Sequence, residues 1–205
     1  MYRRGEEFSI RVGNRELMNS RVHGSEEALA ELAYARVAGV DRPRILIGGL
    51  GMGFTLAAAL RLLAPEGQIV VAELVPAVVE WNRGPLADLA GRPLEDNRVT
   101  VHEGDVAEIL RETSQAYDAI LLDVDNGPEG LARKDNDWLY ARPGLEAAHA
   151  ALRPAGVLAV WSSGPNLVFV QRLRRVGFTV EELRVPARDS SKGRRHTIWI
   201  AGRNS

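Results

Sequence analysis

Glycines or acidic side chains stand at the ends of four consecutive predicted strands. The first strand runs into residues 48–53, Glu73 ends the second, Asp105 follows the third and Asp123 ends the fourth. Glycines at a strand-to-helix turn let the backbone approach a ligand closely. A carboxylate at the second strand end can accept hydrogen bonds from both hydroxyls of a ribose. Because ligands of open α/β sheets bind beyond the carboxyl ends of the strands, this spacing predicts a nucleoside-binding edge.

The glycine spacing distinguishes between nucleoside ligands. Gly49, Gly51 and Gly53 form G-x-G-x-G. A dinucleotide fingerprint needs a third small residue at the next position, which is Phe54 here. We therefore expect an adenosyl ligand, with Asp105 placed to meet the exocyclic amine of adenine. The alternative for the glycines alone is tight strand–helix packing, and for each carboxylate alone a helix cap or a solvated loop.

Asp123 and Asp125 are the candidate catalytic residues at the fourth strand end. An acceptor that is an oxygen or a protonated amine must lose a proton before it attacks, and a nearby carboxylate can take that proton. Asp123 is the first candidate for this general base and Asp125 the second. Two alternatives remain for Asp123, which are holding the amino group of the cofactor and capping the following turn.

Alternating strands and helices must position these side chains. Apolar periodicity predicts strands at 44–47, 68–73, 98–102, 119–123, 157–161, 178–185 and 196–201, with helices at 25–38, 54–63, 76–89, 107–111, 140–152 and 167–176. Near-continuous apolar strands separated by helices predict a doubly wound, mostly parallel seven-stranded sheet covered on both faces. The last two strands are joined by a loop too short for a helix, so we expect an antiparallel last strand. Two short strands around the turn dipeptide Gly13-Asn14 predict an N-terminal β-hairpin.

Composition narrows the class of protein. The chain has 205 residues, 45% of them hydrophobic and 26% charged, which fits one globular domain. The formal net charge of −1 provides no electrostatic case for nucleic acid or an anionic membrane as a partner. There is no cysteine, and the histidines show no metal-ligand spacing, so we expect no metal. The absence of a signal-peptide or membrane-spanning pattern makes a cytoplasmic location the expectation.

The order of the motifs resembles a known superfamily. The segments ILIGGLGMG, VVAELVPAVVEWNR, DNRVTVHEGD and YDAILLDVDNGP look like class I S-adenosylmethionine (AdoMet)-dependent transferases and, within them, are most similar to the spermidine-synthase branch. This resemblance implies a Rossmann-like fold, AdoMet or its decarboxylated form as cofactor, a small-molecule acceptor and a possible homodimer. The implied cofactor-binding residues are Gly48, Gly49, Gly51, Gly53, Glu73, Leu74, Asp105, Val106 and Asp123.

The chain departs from the spermidine-synthase pattern at the residues that handle the amines. Met52 stands where that family has the aspartate that holds the aminopropyl amine, and Asn126 stands where the D-S-x-D motif has its second aspartate. A diamine arrives as a dication, so a site with fewer carboxylates binds it less well and offers fewer bases. Methyl transfer mainly requires alignment with an activated sulfonium and exclusion of water. We therefore expect an AdoMet-dependent methyltransferase acting on a small or medium acceptor. The alternatives are an aminopropyltransferase and a catalytically silent binding subunit.

Residues 1–40 are expected to be a hairpin and helix of the same domain as the AdoMet-binding region, 41–205, and a possible lid over the cofactor. Arg21 would then pair with the cofactor carboxylate. His23 would act as an acid or base. The alternative for both is ordinary connection chemistry between hairpin and helix. A basic cluster in the loop between the last two strands is interpreted as solvated, and it comprises Lys192, Arg194, Arg195 and His196.

Overall fold

The computed structural model describes residues 1–124, 127–128, 137–187 and 194–204. Its main sheet has seven strands in the order β6-β5-β4-β7-β8-β10-β9. The strand β10 is antiparallel to both β8 and β9, and the other paired strands are parallel. This confirms the predicted mostly parallel sheet with an antiparallel last strand. The strands are β4 (Arg44–Gly48), β5 (Gln68–Glu73), β6 (Val99–Glu103), β7 (Tyr117–Leu122), β8 (Leu152–Ser162), β9 (Phe178–Pro186) and β10 (Arg195–Arg203).

Helices cover both faces of the sheet because successive strand residues point to opposite sides. In β4, Ile45 and Ile47 belong to one buried cluster and Leu46 to the other. The first cluster contains side chains of α1, α2 and α3, and the second contains side chains of α4, α6 and α7. The helices are α1 (Gly24–Val37), α2 (Phe54–Leu62), α3 (Pro76–Arg83), α4 (Val106–Glu112), α5 (Asp137–Tyr140), α6 (Arg142–Ala151) and α7 (Leu167–Val176).

Two predicted helices are wrong in extent, and proline explains both. The helix predicted at 76–89 ends at Arg83, because Gly84 precedes Pro85 and a residue before proline is disfavoured in the helical conformation. A short 3-10 helix follows at Ala87–Ala90. The helix predicted at 140–152 corresponds to α6, which begins at Arg142 and ends at Ala151; Pro143 lies in its first turn, where a missing N–H costs nothing, and the short α5 precedes it.

The N-terminal residues form a separate antiparallel sheet, called here the N-terminal sheet. It contains the predicted hairpin, β2 (Glu7–Val12) and β3 (Arg15–Asn19), and a further strand β1 (Tyr2–Arg4) that the sequence reading missed. Its apolar face meets the main domain in a third buried cluster, made of Phe8, Ile10, Met52, Phe54 and Leu86. Within the described ranges, no helix combines the length and the apolar character that crossing a membrane requires.

Candidate active site

Backbone hydrogen bonds extend the sheet past the strand ends and align the predicted site residues. The N–H of Asp123 donates to the carbonyl of Gly48 at 2.9 Å, which ties the end of β7 to the end of β4. The N–H of Gly104 donates to the carbonyl of Glu73 at 2.9 Å and ties β6 to β5 in the same way. The carboxyl ends of four neighbouring strands therefore meet at one edge, with Asp105 directly after Gly104.

The turn after β4, residues 48–53, is called the glycine loop. Gly49, Gly51 and Gly53 have φ values of 93°, 53° and 84°, a region in which a side chain is strained. A Cβ at Gly49 would also overlap the backbone oxygen of Asp123. Gly48 differs, because its constraint is close packing, and a Cβ there would lie 3.1 Å from the Val106 side chain. The roles of these four glycines toward a cofactor stay predictions.

Glu73 fixes the glycine loop from the end of β5. Its side chain is buried, and its Oε2 accepts the backbone N–H of Leu50 at 2.9 Å. Its Oε1 accepts the backbone N–H of Val75 at 2.9 Å. A carboxylate offers about four lone-pair positions, so both oxygens can still accept a hydroxyl each. This arrangement fits the ribose of an adenosyl group.

Asn82 on α3 also fixes the loop, and the sequence analysis did not single it out. Its Nδ2 donates to the carbonyl of Gly51 and to that of Val78, both at 2.9 Å, and the residue is buried. The signal in the sequence was a polar residue on the apolar face of the helix. Such a residue in a buried position must find hydrogen-bond partners, and here the partner is an otherwise open loop carbonyl.

The side of the site predicted for adenine combines a carboxylate with exposed apolar surface. Asp105 caps α4 through Oδ1, which accepts the N–H of Ala107 at 2.9 Å. Its other oxygen receives no hydrogen bond from the residues that the structure describes, so it is available to an exocyclic amine. Leu74 and Val75, which directly follow the buried Glu73, are 43% and 44% exposed. Their side chains form the apolar surface on this side of the site. Val106, in contrast, is buried and packs beneath Gly48.

Asp123 lies at the opposite side of the glycine loop. The hydroxyl of Thr55, on α2, donates to its Oδ2 at 2.7 Å. Burial raises the pKa of Asp123 to about 6, and the hydrogen bond from Thr55 acts in the other direction. A carboxyl with a pKa in this range is suited to taking up and releasing a proton near neutrality. Asp125 and Asn126 lie outside the described residues.

A buried hydrogen-bonded network that the sequence analysis missed lies next to Thr55, the hydrogen-bond partner of Asp123. It consists of Ser25 and Glu26 at the start of α1, Trp161 on β8 and His196 on β10, all less than one-tenth exposed. The Ser25 hydroxyl is 2.6 Å from Oε2 of Glu26 and 2.8 Å from Nδ1 of His196, and it accepts the Trp161 Nε1–H at 3.0 Å. The sequence pattern predicts a helix that begins at Ser25 but does not indicate that Ser25 and Glu26 are buried.

The placement of His196 in an exposed basic cluster is wrong. Arg195 is exposed, whereas His196 points to the opposite side of β10 and is buried, as the alternation of a strand requires. Burial first, and then the charge of Arg194, lower the pKa of His196 to about 4. The ring is therefore neutral near pH 7. Lys192 lies outside the described residues.

Arg21 and His23 make contacts within the N-terminal region. Nη1 of Arg21 is 3.2 Å from Oε1 of Glu7, and both side chains are exposed. The His23 ring stacks on Phe54 with centroids 4.1 Å apart, and its Nδ1 is 3.3 Å from Oε1 of Glu27. These contacts favour the connection role over direct acid–base chemistry. Among the described residues, no group of three histidine, aspartate or glutamate side chains is arranged to hold a metal ion.

The sheet and its helices form the Rossmann-like fold that is also seen in solved spermidine synthases and in an AdoMet-dependent O-methyltransferase of Thermotoga maritima. Residues 25–172 match the spermine/spermidine synthase domain, and the chain belongs to this family.

Two curated relatives and one solved structure illustrate the similarity. The chain is 38% identical to putrescine N-methyltransferase 2 of Nicotiana attenuata over 116 residues, which cover 56% of this chain and 29% of the relative. It is 27% identical to the polyamine aminopropyltransferase of Korarchaeum cryptofilum over 147 residues, 70% of this chain and 44% of the relative. The matches thus span less than half of each of these relatives. The crystal structure of spermidine synthase from Thermotoga maritima superposes with a TM-score of 0.72 at 18% identity, covering 92% of this chain and 63% of that one.

Proposed function

We propose that this protein is an AdoMet-dependent methyltransferase that acts on a small or medium acceptor of the amine class. The observation that carries this proposal is Met52, which is fully buried among Phe8, Ile10, Phe54 and Leu86. In the spermidine-synthase pattern this position holds an aspartate that binds the aminopropyl amine. Here the position faces apolar packing, and the glycine loop offers no carboxylate of its own.

The lack of that carboxylate affects the two donors differently. Decarboxylated AdoMet ends in a lone ammonium group, whose transfer from water is costly without a paired anion. The corresponding end of AdoMet carries both an ammonium and a carboxylate, so its charges offset each other. A loop with Met52 in place of aspartate therefore favours AdoMet over the decarboxylated donor. The 38% sequence identity to a putrescine N-methyltransferase over 116 residues supports AdoMet as the donor.

The proposed function assigns the site residues to cofactor binding and to proton transfer. AdoMet, when bound, supplies a methyl group on an already activated sulfonium. Gly49, Gly51 and Gly53 let the backbone approach the methionine part, and Glu73 accepts the ribose hydroxyls. Asp105 accepts the exocyclic amine of adenine, with Leu74 against the ring. Asp123 takes a proton from the ammonium form of the acceptor and so exposes the nitrogen lone pair.

Aminopropyl transfer is the second candidate, and one observation supports it. The chain matches a polyamine aminopropyltransferase over 70% of its length, more than it matches the N-methyltransferase. In that case decarboxylated AdoMet would be the cofactor and a polyamine the acceptor.

Calorimetry with the purified protein separates these candidates. The ligands are AdoMet, S-adenosylhomocysteine, decarboxylated AdoMet and NAD, followed by mass spectrometry of putrescine and other amines after incubation with each donor. We expect micromolar binding of AdoMet and S-adenosylhomocysteine, weaker binding of the decarboxylated form and a mass increase of one methyl group. Preference for the decarboxylated donor with aminopropyl products would establish the second candidate, and no adenosyl binding would leave a silent binding protein.

The remaining features of this proposal rest on the resemblance to the family and on sequence pattern. We place the protein in the cytoplasm and expect a homodimer, which light scattering measures directly. We also retain the N-terminal sheet and α1, residues 1–40, as part of the same domain and as a lid over residues 41–205. The contacts of Met52 with Phe8 and Ile10 support this position above the glycine loop.

A further inference from the structure

Glu26 is a buried carboxyl without a cationic partner. It lies in the first turn of α1 and is 8% exposed, and no lysine or arginine of the described residues forms an ion pair with it. Asp123 also has no cationic partner among them. Thr55 joins the two residues, because its hydroxyl donates to Oδ2 of Asp123 at 2.7 Å and lies 3.3 Å from the backbone oxygen of Glu26. The Asp123 carboxylate is thus linked through one hydroxyl to the backbone of Glu26, and two carboxyls on neighbouring residues without a cationic partner carry two charges only at a cost.

The hydrogen bonds of Ser25 allow Glu26 to hold a proton. Trp161 can only donate, so the Ser25 oxygen accepts from it in every state. If Glu26 is ionised, Ser25 donates to it and His196 donates from Nδ1. If Glu26 is protonated, it donates to Ser25, which then donates to Nδ1 of His196. Whether Glu26 is ionised or protonated, each of these hydrogen-bonding atoms has a partner while the His196 ring stays neutral. A proton on Glu26 therefore leaves none of them without a hydrogen bond.

Of the two carboxyls, that of Asp123 is expected to ionise first. The Thr55 hydroxyl donates directly to its carboxylate and so favours the ionised form. Burial, and then the charge of Asp123, raise the pKa of Glu26 to about 7, whereas burial raises that of Asp123 to about 6. The pair titrates as a unit, with Asp123 ionising first.

The elements packed around Glu26 and Asp123 are α1, α2, β8 and β10, and their titratable and charged groups are as follows. Glu27, on α1, adds a like charge near Glu26 and is itself 3.8 Å from Nη2 of Arg61 on α2. His196 is the titratable group of β10 and is neutral near pH 7, and the charge of Arg194, which precedes this strand, acts on its ring. Trp161, from β8, presents only a neutral N–H.

We propose that Glu26 is a positioning residue for Asp123, and that the carboxyls of these two residues share a single proton at neutral pH, with Glu26 protonated and Asp123 ionised. This inference rests on the function proposed above, in which Asp123 is the base. An N–H bond of the acceptor ammonium breaks, its proton goes to the Asp123 carboxylate, and the electron pair remains on nitrogen. The proton already held on Glu26 keeps a second negative charge away, so Asp123 stays ionised and ready before the acceptor arrives.

Carboxyl carbon NMR of the full chain tests this without any ligand. The proteins are the wild type, Glu26→Gln, Asp123→Asn and, as a matched control, Glu31→Gln, which changes an exposed carboxylate on the same helix. We expect two coupled titrations in the wild type and in the control. We expect one titration near neutrality to disappear in Glu26→Gln, and the Glu26 titration to move to lower pH in Asp123→Asn. Titration of Glu26 at its ordinary value near 4.5, or no response to Asp123→Asn, would overturn the shared proton.

Transfer kinetics distinguish this inference from the function on which it rests. The pH dependence of kcat/KM is measured for the Glu31→Gln control and for Glu26→Gln, whose amide imitates the protonated acid but cannot ionise. Its pH–rate profile should lose one ionisation, which a merely structural role would not remove. Absence of transfer in all proteins with the coupled titrations intact would overturn the proposed function alone. Normal transfer with two independent, ordinary titrations would overturn the shared proton alone.

Discussion

The carboxylate of Glu73, at the end of β5, accepts the backbone N–H of Leu50 at 2.9 Å and so fixes the glycine loop that leaves β4. The same side chain accepts the N–H of Val75 and holds the start of α3. One residue therefore positions both chain segments between which the ribose is proposed to lie. Changes at Glu73 should alter ligand binding through the loop as well as through the lost acceptor.

Glu73→Gln should weaken AdoMet binding by about 100-fold, because the amide nitrogen cannot accept a hydrogen bond and would face a backbone N–H. Calorimetric titration measures this change. Glu80→Gln is the control, since that carboxylate is exposed on α3. Affinity within a few fold of the wild type would show that the ribose does not meet Glu73.

Gly49→Ala should destabilise the fold by about 3 kcal/mol or more, because the residue combines a positive φ with a Cβ that would overlap the oxygen of Asp123. Urea unfolding followed by circular dichroism gives the free energy. Gly39→Ala is the comparison, since a Cβ there meets nothing within 4 Å and should change stability little. Equal stability of the two variants would contradict the described turn.

Met52→Asp should destabilise the protein, so that this single change does not restore binding of the decarboxylated donor. The side chain is fully buried in an apolar cluster, and an unpaired carboxylate there costs several kcal/mol, about 3 or more. Met52→Leu keeps the volume and should remain within about 1.5 kcal/mol of the wild type. A stable Met52→Asp protein with tight binding of decarboxylated AdoMet would show that this position faces the donor.

Thr55→Val should move the acidic limb of the pH–rate profile to higher pH. The variant removes the hydroxyl that donates to Asp123 and thus the interaction that lowers the pKa of this carboxyl. Thr55→Ser retains the hydroxyl and is expected to restore the wild-type profile. If valine and serine give the same profile, the hydrogen bond does not tune the base.

The free energy of unfolding should fall as the pH rises from about 6.5 to about 8, above the range in which His196, with its pKa lowered to about 4, acts in the opposite direction. The folded-state pKa values of Asp123 and Glu26, about 6 and about 7, exceed the ordinary values of 3.8 and 4.5. The folded protein therefore binds more protons than the unfolded chain in this range, which makes the slope negative. Glu26→Gln should raise stability at pH 8 by no more than about 3 kcal/mol and flatten the curve. A curve in Glu26→Gln parallel to that of the wild type would contradict this account.

The sheet and the edge at which the candidate site residues meet were predictable from the sequence because both depend on local patterns. Apolar runs fix the strands, and the glycines and carboxylates at their ends follow directly in the chain. Glu26 was not predictable, because its importance comes from burial against residues that are distant in the sequence. Met52 shows the same limit, since only the position of the N-terminal sheet explains why an apolar side chain occupies that turn.

The position of β10 has a consequence for synthesis of the chain on the ribosome. This strand inserts between β8 and β9, and its His196 meets Ser25 across a separation of 171 residues. A nascent chain that ends before residue 195 leaves the edge of β8 unpaired and the Ser25 hydroxyl without this partner. The Ser25–His196 contact, which lies behind Asp123, therefore forms only once the last strand has emerged, so partial translation products should lack the complete pocket.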